Sequence, residues 1–283
     1  MFEKDFVEFN TEMARLKEVT WQGYAKTLKE VGIAYLGNVN HSAKLSHGET
    51  INMHTYGVYL SPGNLSGFEV CPKSVTCRDT CLYGSGHNRL AHFMNSSKVD
   101  NPRVIKTRLF FANRKVFMLL LIHEIEVAKA NAERKGYNFS VRLNCTSDLN
   151  ISLFKYEGVS ICHIFPDVQF YDYTKVPAYL SNPIKFHNYH LTFSYDGTPE
   201  NFAVCKGWLQ GGGNVAVVFG VLKKEELPKT WLGYKVLCGD DYDYRPWDEV
   251  VAPDAQIVGL VYKTNVNDYE VMPDNSRKFK GVP

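Results

Sequence analysis

Apolar residues recur at helical spacing over roughly the first 32 residues of the chain, where Phe6, Phe9, Met13 and Leu16 begin the pattern. This spacing predicts an amphipathic helical region. Gly32 ends the pattern, and a polar stretch over residues 38–52 follows. We therefore predict an N-terminal helical extension over residues 1–50.

The pattern then changes to short apolar runs, rich in β-formers, that alternate with helical or irregular connections. One long segment of helical spacing lies over residues 102–135. Alternation of strands and helices at this spacing predicts parallel βαβ units. We therefore expect an α/β fold, a partial or full parallel α/β barrel of the TIM type, over residues 51–283. The predicted strands are residues 55–60, 139–143, 168–171, 191–193, 215–219, 234–237 and 257–262.

Composition and charge narrow the class of protein. The chain has 283 residues, of which 45% are hydrophobic and 22% charged, with a net charge of +2. These values are ordinary for a globular protein. The small net charge creates no strong electric field that would attract nucleic acid or a membrane. No run approaches the about 20 apolar residues of a membrane span. The first residues do not resemble a signal peptide. We expect a cytoplasmic protein with no membrane partner.

Three of the seven cysteines lie in one polar loop, VCPKSVTCRDTCLYGSGH, at Cys71, Cys77 and Cys81. Buried structural cysteines usually occur singly in apolar surroundings, whereas thiolate clusters select zinc or iron–sulfur centres. We predict that these three cysteines bind a metal centre, with a 4Fe–4S cluster favoured over zinc. His87 could supply a fourth ligand. Alternatively, the fourth iron of the cluster stays open to a substrate or cofactor.

Polar residues follow several predicted strands. In parallel α/β barrels the active site gathers at the C-terminal ends of the strands. We therefore predict a site there, although any one of these residues could instead cap the helix that follows it. The candidates are Thr146, Ser147 and Asp148 after the second strand, Lys175 after the third, Ser194 and Asp196 after the fourth, and Asp240 after the sixth.

A three-cysteine loop after the first strand of an α/β barrel resembles the radical S-adenosylmethionine (SAM) enzymes. The gaps of five and three residues between the cysteines are longer than usual there. The chain is more similar to a bacteriophage family, gene product 88, itself similar to the radical SAM fold. The matching stretches are Cys71-Pro72 with Cys77 and Cys81-Leu82-Tyr83, Val141-Arg142-Leu143-Asn144 with Ser147-Asp148, Phe165-Pro166, Phe170 to Lys175, Gly239-Asp240-Asp241 with Asp243, and Ile257 to Leu260.

The resemblance implies a cluster on the three cysteines and a bound SAM. Thr146, Ser147 and Asp148 would then accept hydrogen bonds from the SAM amino group. Ser194 and Asp196 could hold the ribose hydroxyls. Lys175 would pair with a carboxylate or phosphate. We expect Asp148, Lys175 and Asp240 to be the catalytic residues.

Three functions remain open. The first is a radical-SAM-like iron–sulfur enzyme that acts on an unknown substrate. The second is a non-catalytic iron–sulfur protein of the same fold, serving as a redox or nucleic-acid-associated factor. The third is a zinc-binding interaction module. A phage setting would make nucleic acid a reasonable substrate or partner, although the sequence shows no dense basic stripe.

Overall fold

The computed structural model describes residues 23–74, 101–181, 186–262, 269–271 and 277–279. These residues form two compact units. The described part of the first unit is residues 23–72, 101–170 and 186–189. The second unit contains residues 73–74, 171–181, 190–262 and the two short segments after them.

The described elements follow the predicted alternation of strands and helices. The α-helices are Tyr24–Val31 (α1), Ala43–Ser46 (α2), Pro102–Ala112 (α3), Arg114–Arg134 (α4), Ile161–Ile164 (α5), Pro177–Leu180 (α6), Pro199–Gln210 (α7) and Asp248–Val251 (α8). The strands are Gly37–Val39 (β1), Met53–Val58 (β2), Asn138–Arg142 (β3), Lys155–Tyr156 (β4), Val159–Ser160 (β5), Gln169–Thr174 (β6), Tyr189–Ser194 (β7), Val215–Phe219 (β8), Thr230–Trp231 (β9), Tyr234–Cys238 (β10), Ala255–Val261 (β11), Tyr269–Val271 (β12) and Arg277–Phe279 (β13). Short 3-10 helices cover His47–Ile51, Ile151–Leu153, Lys224–Glu226 and Arg245–Trp247.

In the first unit, β2 is the central strand, and all six of its residues are buried. It pairs antiparallel with β1 on one side and parallel with β3 on the other, and β3 in turn pairs with the first residues of β6. Helices α3 and α4 supply much of the apolar core. Asn113 ends α3, and its side chain accepts a hydrogen bond from the Val116 amide at the start of α4. One residue therefore terminates one helix and caps the next.

In the second unit, β7 pairs parallel with β8, β8 with β11, and β11 with β10, while β9 pairs antiparallel with β10. Helix α7 begins at Pro199 after Thr198, whose side chain accepts a hydrogen bond from the Asn201 amide. This arrangement satisfies an amide that has no partner within the helix. The buried residues Cys205 and Leu209 of α7 belong to one apolar cluster with strands β7, β8 and β11.

The α/β class with mainly parallel strands is confirmed. Among the described residues, however, β1 pairs only with β2 and β9 only with β10, and no pairing closes the strands into a barrel. The barrel therefore stays a prediction, as does the boundary at residue 50. Within the described part of the chain, no helix has the length and apolarity needed to cross a membrane.

Candidate functional site

The C-terminal ends of β2 and β3 define the candidate site in the first unit. These strands are parallel neighbours, so the loops that follow them leave from the same edge of the sheet. The loop after β2 leads to Cys71, and the turn after β3 contains Cys145, Thr146, Ser147 and Asp148. The amide of Asp148 donates to the carbonyl oxygen of Val70 at 2.7 Å, which joins the two segments directly. The structure therefore brings one predicted ligand and one predicted polar stretch together.

Cys71 is half-buried, and its sulfur contacts the backbone from two sides. The Gly63 amide donates to Cys71 Sγ at 3.4 Å, and Sγ lies 3.9 Å from the carbonyl oxygen of Thr146. Gly63 has a φ of +59°, a backbone conformation that favours glycine. The Val70 amide in turn donates to the Gly63 carbonyl at 2.9 Å and closes this loop. An amide hydrogen bond to sulfur is a feature of thiolates that hold iron–sulfur clusters, so Cys71 fits that role.

The hydroxyl groups of the turn after β3 donate hydrogen bonds within the protein. Thr146 Oγ1 donates to the Leu60 carbonyl at 2.6 Å. Ser147 Oγ donates to Asn144 Oδ1 at 2.8 Å, and the same oxygen accepts from the Leu149 amide at 2.9 Å. These bonds hold the turn in shape. The predicted SAM-binding role of Thr146, Ser147 and Asp148 stays a prediction.

The remaining predicted ligands, Cys77, Cys81 and the alternative ligand His87, lie outside the described residues. Within the described ranges, no three His, Cys, Asp or Glu side chains are placed to hold a metal ion. Cys162 and Cys205 are fully buried in the apolar clusters of their units, and burial raises the pKa of the Cys205 thiol to about 12. A thiol of this kind is inert at neutral pH, so Cys205 provides a useful control.

The predicted polar residues of the second unit lie at strand ends, and several have local structural roles. Lys175 Nζ donates to Ser194 Oγ at 2.7 Å, so the ends of β6 and β7 are joined. Asp196 Oδ1 accepts from the amide and the hydroxyl of Thr198 at 2.9 and 2.8 Å, just before α7. Asp240 Oδ2 accepts from the Val261 amide at 2.8 Å. Their catalytic and cofactor-binding roles stay predictions.

The acidic run after β10 separates into different environments. Asp241 is exposed and lies 2.9 Å from the Lys224 ammonium group. Asp243, two residues later, is buried and accepts a hydrogen bond from the Tyr171 hydroxyl at 3.0 Å. The two carboxylates therefore do not share one solvated surface.

Arg245, for which the sequence predicted no role, is fully buried in the second unit. Its Nε donates to the Asp243 carbonyl at 3.3 Å, Nη2 donates to the Tyr242 carbonyl, and Nη1 lies 3.5 Å from Asp248 Oδ2. Burial opposes the charged form, but the neighbouring phenols and carboxylates outweigh it and raise the pKa of Arg245. The dense DYDYRPW run was the only sequence signal for this cluster.

Comparison with known proteins gives one match. The model of the family described as Gene product 88 matches residues 20–268, which is most of the chain. No curated protein and no solved structure matches. The match includes β2, the cysteine loop, the turn after β3 and the polar strand ends of the second unit.

Proposed function

The chain belongs to the Gene product 88 family, and from this premise we propose that it holds an iron–sulfur cluster on Cys71, Cys77 and Cys81. One observation carries the proposal. The half-buried sulfur of Cys71 accepts an amide hydrogen bond at the C-terminal edge of two parallel strands, beside a polar turn. Structural thiols such as Cys162 instead lie deep in an apolar core.

The chemistry of the cysteine loop supports a soft metal centre. Thiolates bind iron–sulfur clusters and zinc, and hydrogen bonds to the sulfurs tune the potential of a cluster. The loop around Cys71 is polar, with Lys73 two residues and Ser74 three residues after it. A positive charge close to a thiol favours the thiolate, which is the form that binds metal.

In the enzymatic form of the proposal, Cys71, Cys77 and Cys81 would hold the cluster, and one iron would stay open to SAM. When bound and reduced, the cluster would supply the electron that cleaves the sulfonium bond of SAM. The polypeptide itself would bind SAM and orient it. Thr146 and Asp148, next to Cys71, are the residues that would hold the amino group of SAM. The Thr146 hydroxyl donates its proton to the Leu60 carbonyl, and its oxygen keeps lone pairs that could accept from this amino group.

A non-catalytic iron–sulfur protein of the same fold is the second candidate. It is favoured by the internal hydrogen bonds of the turn after β3, because the hydroxyl protons of Thr146 and Ser147 are both donated within the protein and are not available to a ligand. In this form the cluster would sense redox state or would belong to a nucleic-acid-associated protein, and SAM would not bind.

Anaerobic purification and reconstitution, followed by iron, sulfide and zinc analysis and by visible and electron paramagnetic resonance spectra, test the cluster. We expect Cys71→Ala to abolish the cluster signal and Cys205→Ala to retain it, because Cys205 is a buried core thiol in the other unit. A colourless, zinc-loaded wild-type protein would refute both forms of the proposal. A cluster that survives Cys77→Ala would show that the ligand set is wrong.

Addition of SAM to the reduced protein distinguishes the two forms. Formation of 5′-deoxyadenosine, or a change in the cluster spectrum, supports the enzymatic form. If the cluster is present and neither change occurs, the chain is the non-catalytic protein.

A further inference from the structure

Strand β1 is an edge strand of the first unit. Among the described residues it pairs only with β2, on one side. The Asn40 amide, directly after β1, donates to the Thr55 carbonyl of β2 at 3.0 Å. In an antiparallel pair, residues that bond to the neighbouring strand alternate with residues whose backbone groups point away from it. Asn38 therefore bonds to β2, whereas the N–H and C=O groups of Gly37 and Val39 point to the outer edge.

The outward groups of β1 differ in whether the protein itself binds them. The Gly37 amide donates to Glu124 Oε2 of α4 at 2.9 Å, so a carboxylate stands where the carbonyl of a neighbouring strand would. The amide and the carbonyl of Val39 make no hydrogen bond within the described part of the chain. Open edge groups of this kind are a template for pairing with another strand. Val39 thus offers one donor and one acceptor to an additional strand.

A groove of about 580 Å³ adjoins this open edge, and its lining residues all belong to the first unit. This volume lies in the range of roughly 300–1,000 Å³ that is usual for ligand sites. Strand β1 lines one side and α4 the other, where the small side chains of Ala128 and Ala132 leave room. The lining residues of α4 extend from His123 to Lys135, a rise of about 18 Å. That length accommodates about five residues of an extended chain.

Exposed apolar side chains line the groove on both sides. Val127 of α4 is 46% exposed, and Tyr35, two residues before β1, is 40% exposed. The rings of Tyr24 and His123, with centroids 4.3 Å apart, also line the groove. Large apolar side chains that are exposed together along a groove indicate a binding surface. They would contact alternate side chains of an added strand, which is how strand addition acquires specificity.

The charged residues of the groove favour an acidic partner. The carboxylates of Glu124 and Glu49 already accept hydrogen bonds from the protein, that of Glu49 from the Asn40 side chain at 3.1 Å. Arg134 and Lys135, at the end of α4, are exposed and have no carboxylate within ion-pair distance in the described ranges. A carboxylate on the bound strand would pair with these two cations, whereas a basic strand would meet two like charges.

We propose that the groove between β1 and α4 binds an extended acidic peptide segment, which adds to the sheet as a strand beside β1. The peptide main chain would donate to the Val39 carbonyl and accept from the Val39 amide. An apolar side chain of the peptide would contact Val127, and an acidic one would pair with Arg134 or Lys135. This inference goes beyond the proposed cluster, because the groove includes neither Cys71 nor the turn after β3.

Hydrogen exchange of two neighbouring amides tests the open edge in the free protein. The Asn40 amide is bonded to β2, whereas the Val39 amide has no partner in the described structure. We expect nuclear magnetic resonance to show that the Val39 amide exchanges roughly tenfold faster than the Asn40 amide, or more. Equal protection of the two amides would show that the edge is already covered and would overturn the inference.

Selection from a displayed library of random eight-residue peptides, followed by calorimetry with synthetic copies, tests the ligand class. We expect the selected peptides to contain Asp or Glu beside alternating apolar residues and to bind in the micromolar range. N-methylation of the peptide at every second residue blocks main-chain pairing on one edge. One of the two possible N-methylated copies should therefore bind at least about tenfold more weakly than the parent peptide, the effect of one lost hydrogen bond.

Val39→Pro tests the site in the protein, with Asn38→Pro as its matched control. Proline is tolerated in an edge strand where the N–H points away from the sheet. Val39→Pro should therefore stay close to wild-type stability and weaken peptide binding roughly tenfold, whereas Asn38→Pro loses a bond to β2 and should lower the melting temperature. Replacing Arg134 and Lys135 together by Ala should also weaken binding. The Cys71→Ala protein should bind the peptide as the wild type does, so loss of the cluster and loss of this site are distinguishable.

Three further results would overturn the inference. A library that yields no peptide with a dissociation constant below about 1 mM, or that yields basic peptides, removes the ligand class. Peptides that bind Val39→Pro and both N-methylated copies that bind the wild type as tightly as the parent pair does remove the strand addition. Dimerisation of the wild-type chain in sedimentation experiments, abolished by Val39→Pro, would show that a second copy of the chain occupies the edge instead.

Discussion

Glu124 is the residue whose replacement tests the architecture of the first unit most directly. It lies on α4, is 8% exposed, and its carboxylate accepts four hydrogen bonds. Oε1 accepts from the Tyr24 hydroxyl and the Leu36 amide, each at 2.7 Å. Oε2 accepts from the Gly37 amide at 2.9 Å and from the Tyr56 hydroxyl. One side chain therefore ties α4 to α1, to β2 and to the start of β1.

Glu124→Gln keeps the shape of the side chain and replaces one acceptor oxygen by an NH2 group. In either amide orientation, that group faces a backbone N–H, from Leu36 or from Gly37, that cannot become an acceptor. Hydrogen bonds to a charged group contribute about 1.5–3 kcal/mol each, and an unsatisfied buried donor costs about 1–3 kcal/mol. We expect a loss of about 3 kcal/mol in the free energy of unfolding, which corresponds to a fall of roughly 6 °C or more in melting temperature.

Urea denaturation followed by circular dichroism measures the effect. Glu126→Gln is the control, because Glu126 lies on the same helix but is exposed, and surface changes usually stay within about 0.5 kcal/mol. A Glu124→Gln protein within about 1 kcal/mol of wild type would show that the four bonds do not hold the unit together.

Two further predictions concern the second unit. Burial, and then the charge of Arg245, lower the pKa of His190 to about 4, so the folded state favours the neutral imidazole. The stability that this preference contributes is complete above pH 6.5 and is lost as the pH falls toward 4. Denaturation at pH 7 and pH 4.5 should show this loss of stability, which is about 3 kcal/mol when complete. The loss should be absent from His190→Asn. Stability profiles against pH that run parallel in the wild type and in this variant would contradict the assignment. Arg245→Met leaves the buried Asp248 carboxylate without its ion-pair partner. We expect thermal unfolding to show a loss of about 3–5 kcal/mol in the free energy of unfolding. A variant as stable as the wild type would disprove a structural ion pair.

The buried parallel strands were predictable from the sequence. The prediction of 215–219 coincides with β8, and the predictions of 139–143 and 257–262 each lie within two residues of β3 and β11. β8, with the sequence VAVVF, is a continuous apolar run, and such runs identify strands covered on both faces, whereas β3, NFSVR, is interrupted by Ser140 and Arg142. The short strand β1, with the sequence GNV, has no such pattern. It exists because it pairs with β2 and because Glu124 binds the amide of Gly37, and both contacts come from distant parts of the chain.

The candidate site was predictable where topology alone decides position. Parallel neighbouring strands end at one edge, so residues after β2 and β3 had to approach each other, and Cys71 and Thr146 do. What the side chains do there depends on contacts that no local pattern encodes. For example, the sequence does not reveal that the hydroxyl proton of Thr146 is donated to the Leu60 carbonyl, which leaves that hydroxyl only its acceptor role toward a ligand.

The acidic run after β10 shows even more strongly that a local sequence pattern does not predict side-chain contacts. Asp241 and Asp243 look equivalent in the sequence, as two members of one acidic run. In the folded chain Asp241 is exposed beside Lys224, and Asp243 is buried beside Arg245. Burial of a carboxylate is tolerated only where charge and hydrogen bonds compensate it. The compensation comes from the Tyr171 hydroxyl on β6 and from the Arg245 guanidinium, so the polar interior of the second unit follows from tertiary contacts and not from any local sequence pattern.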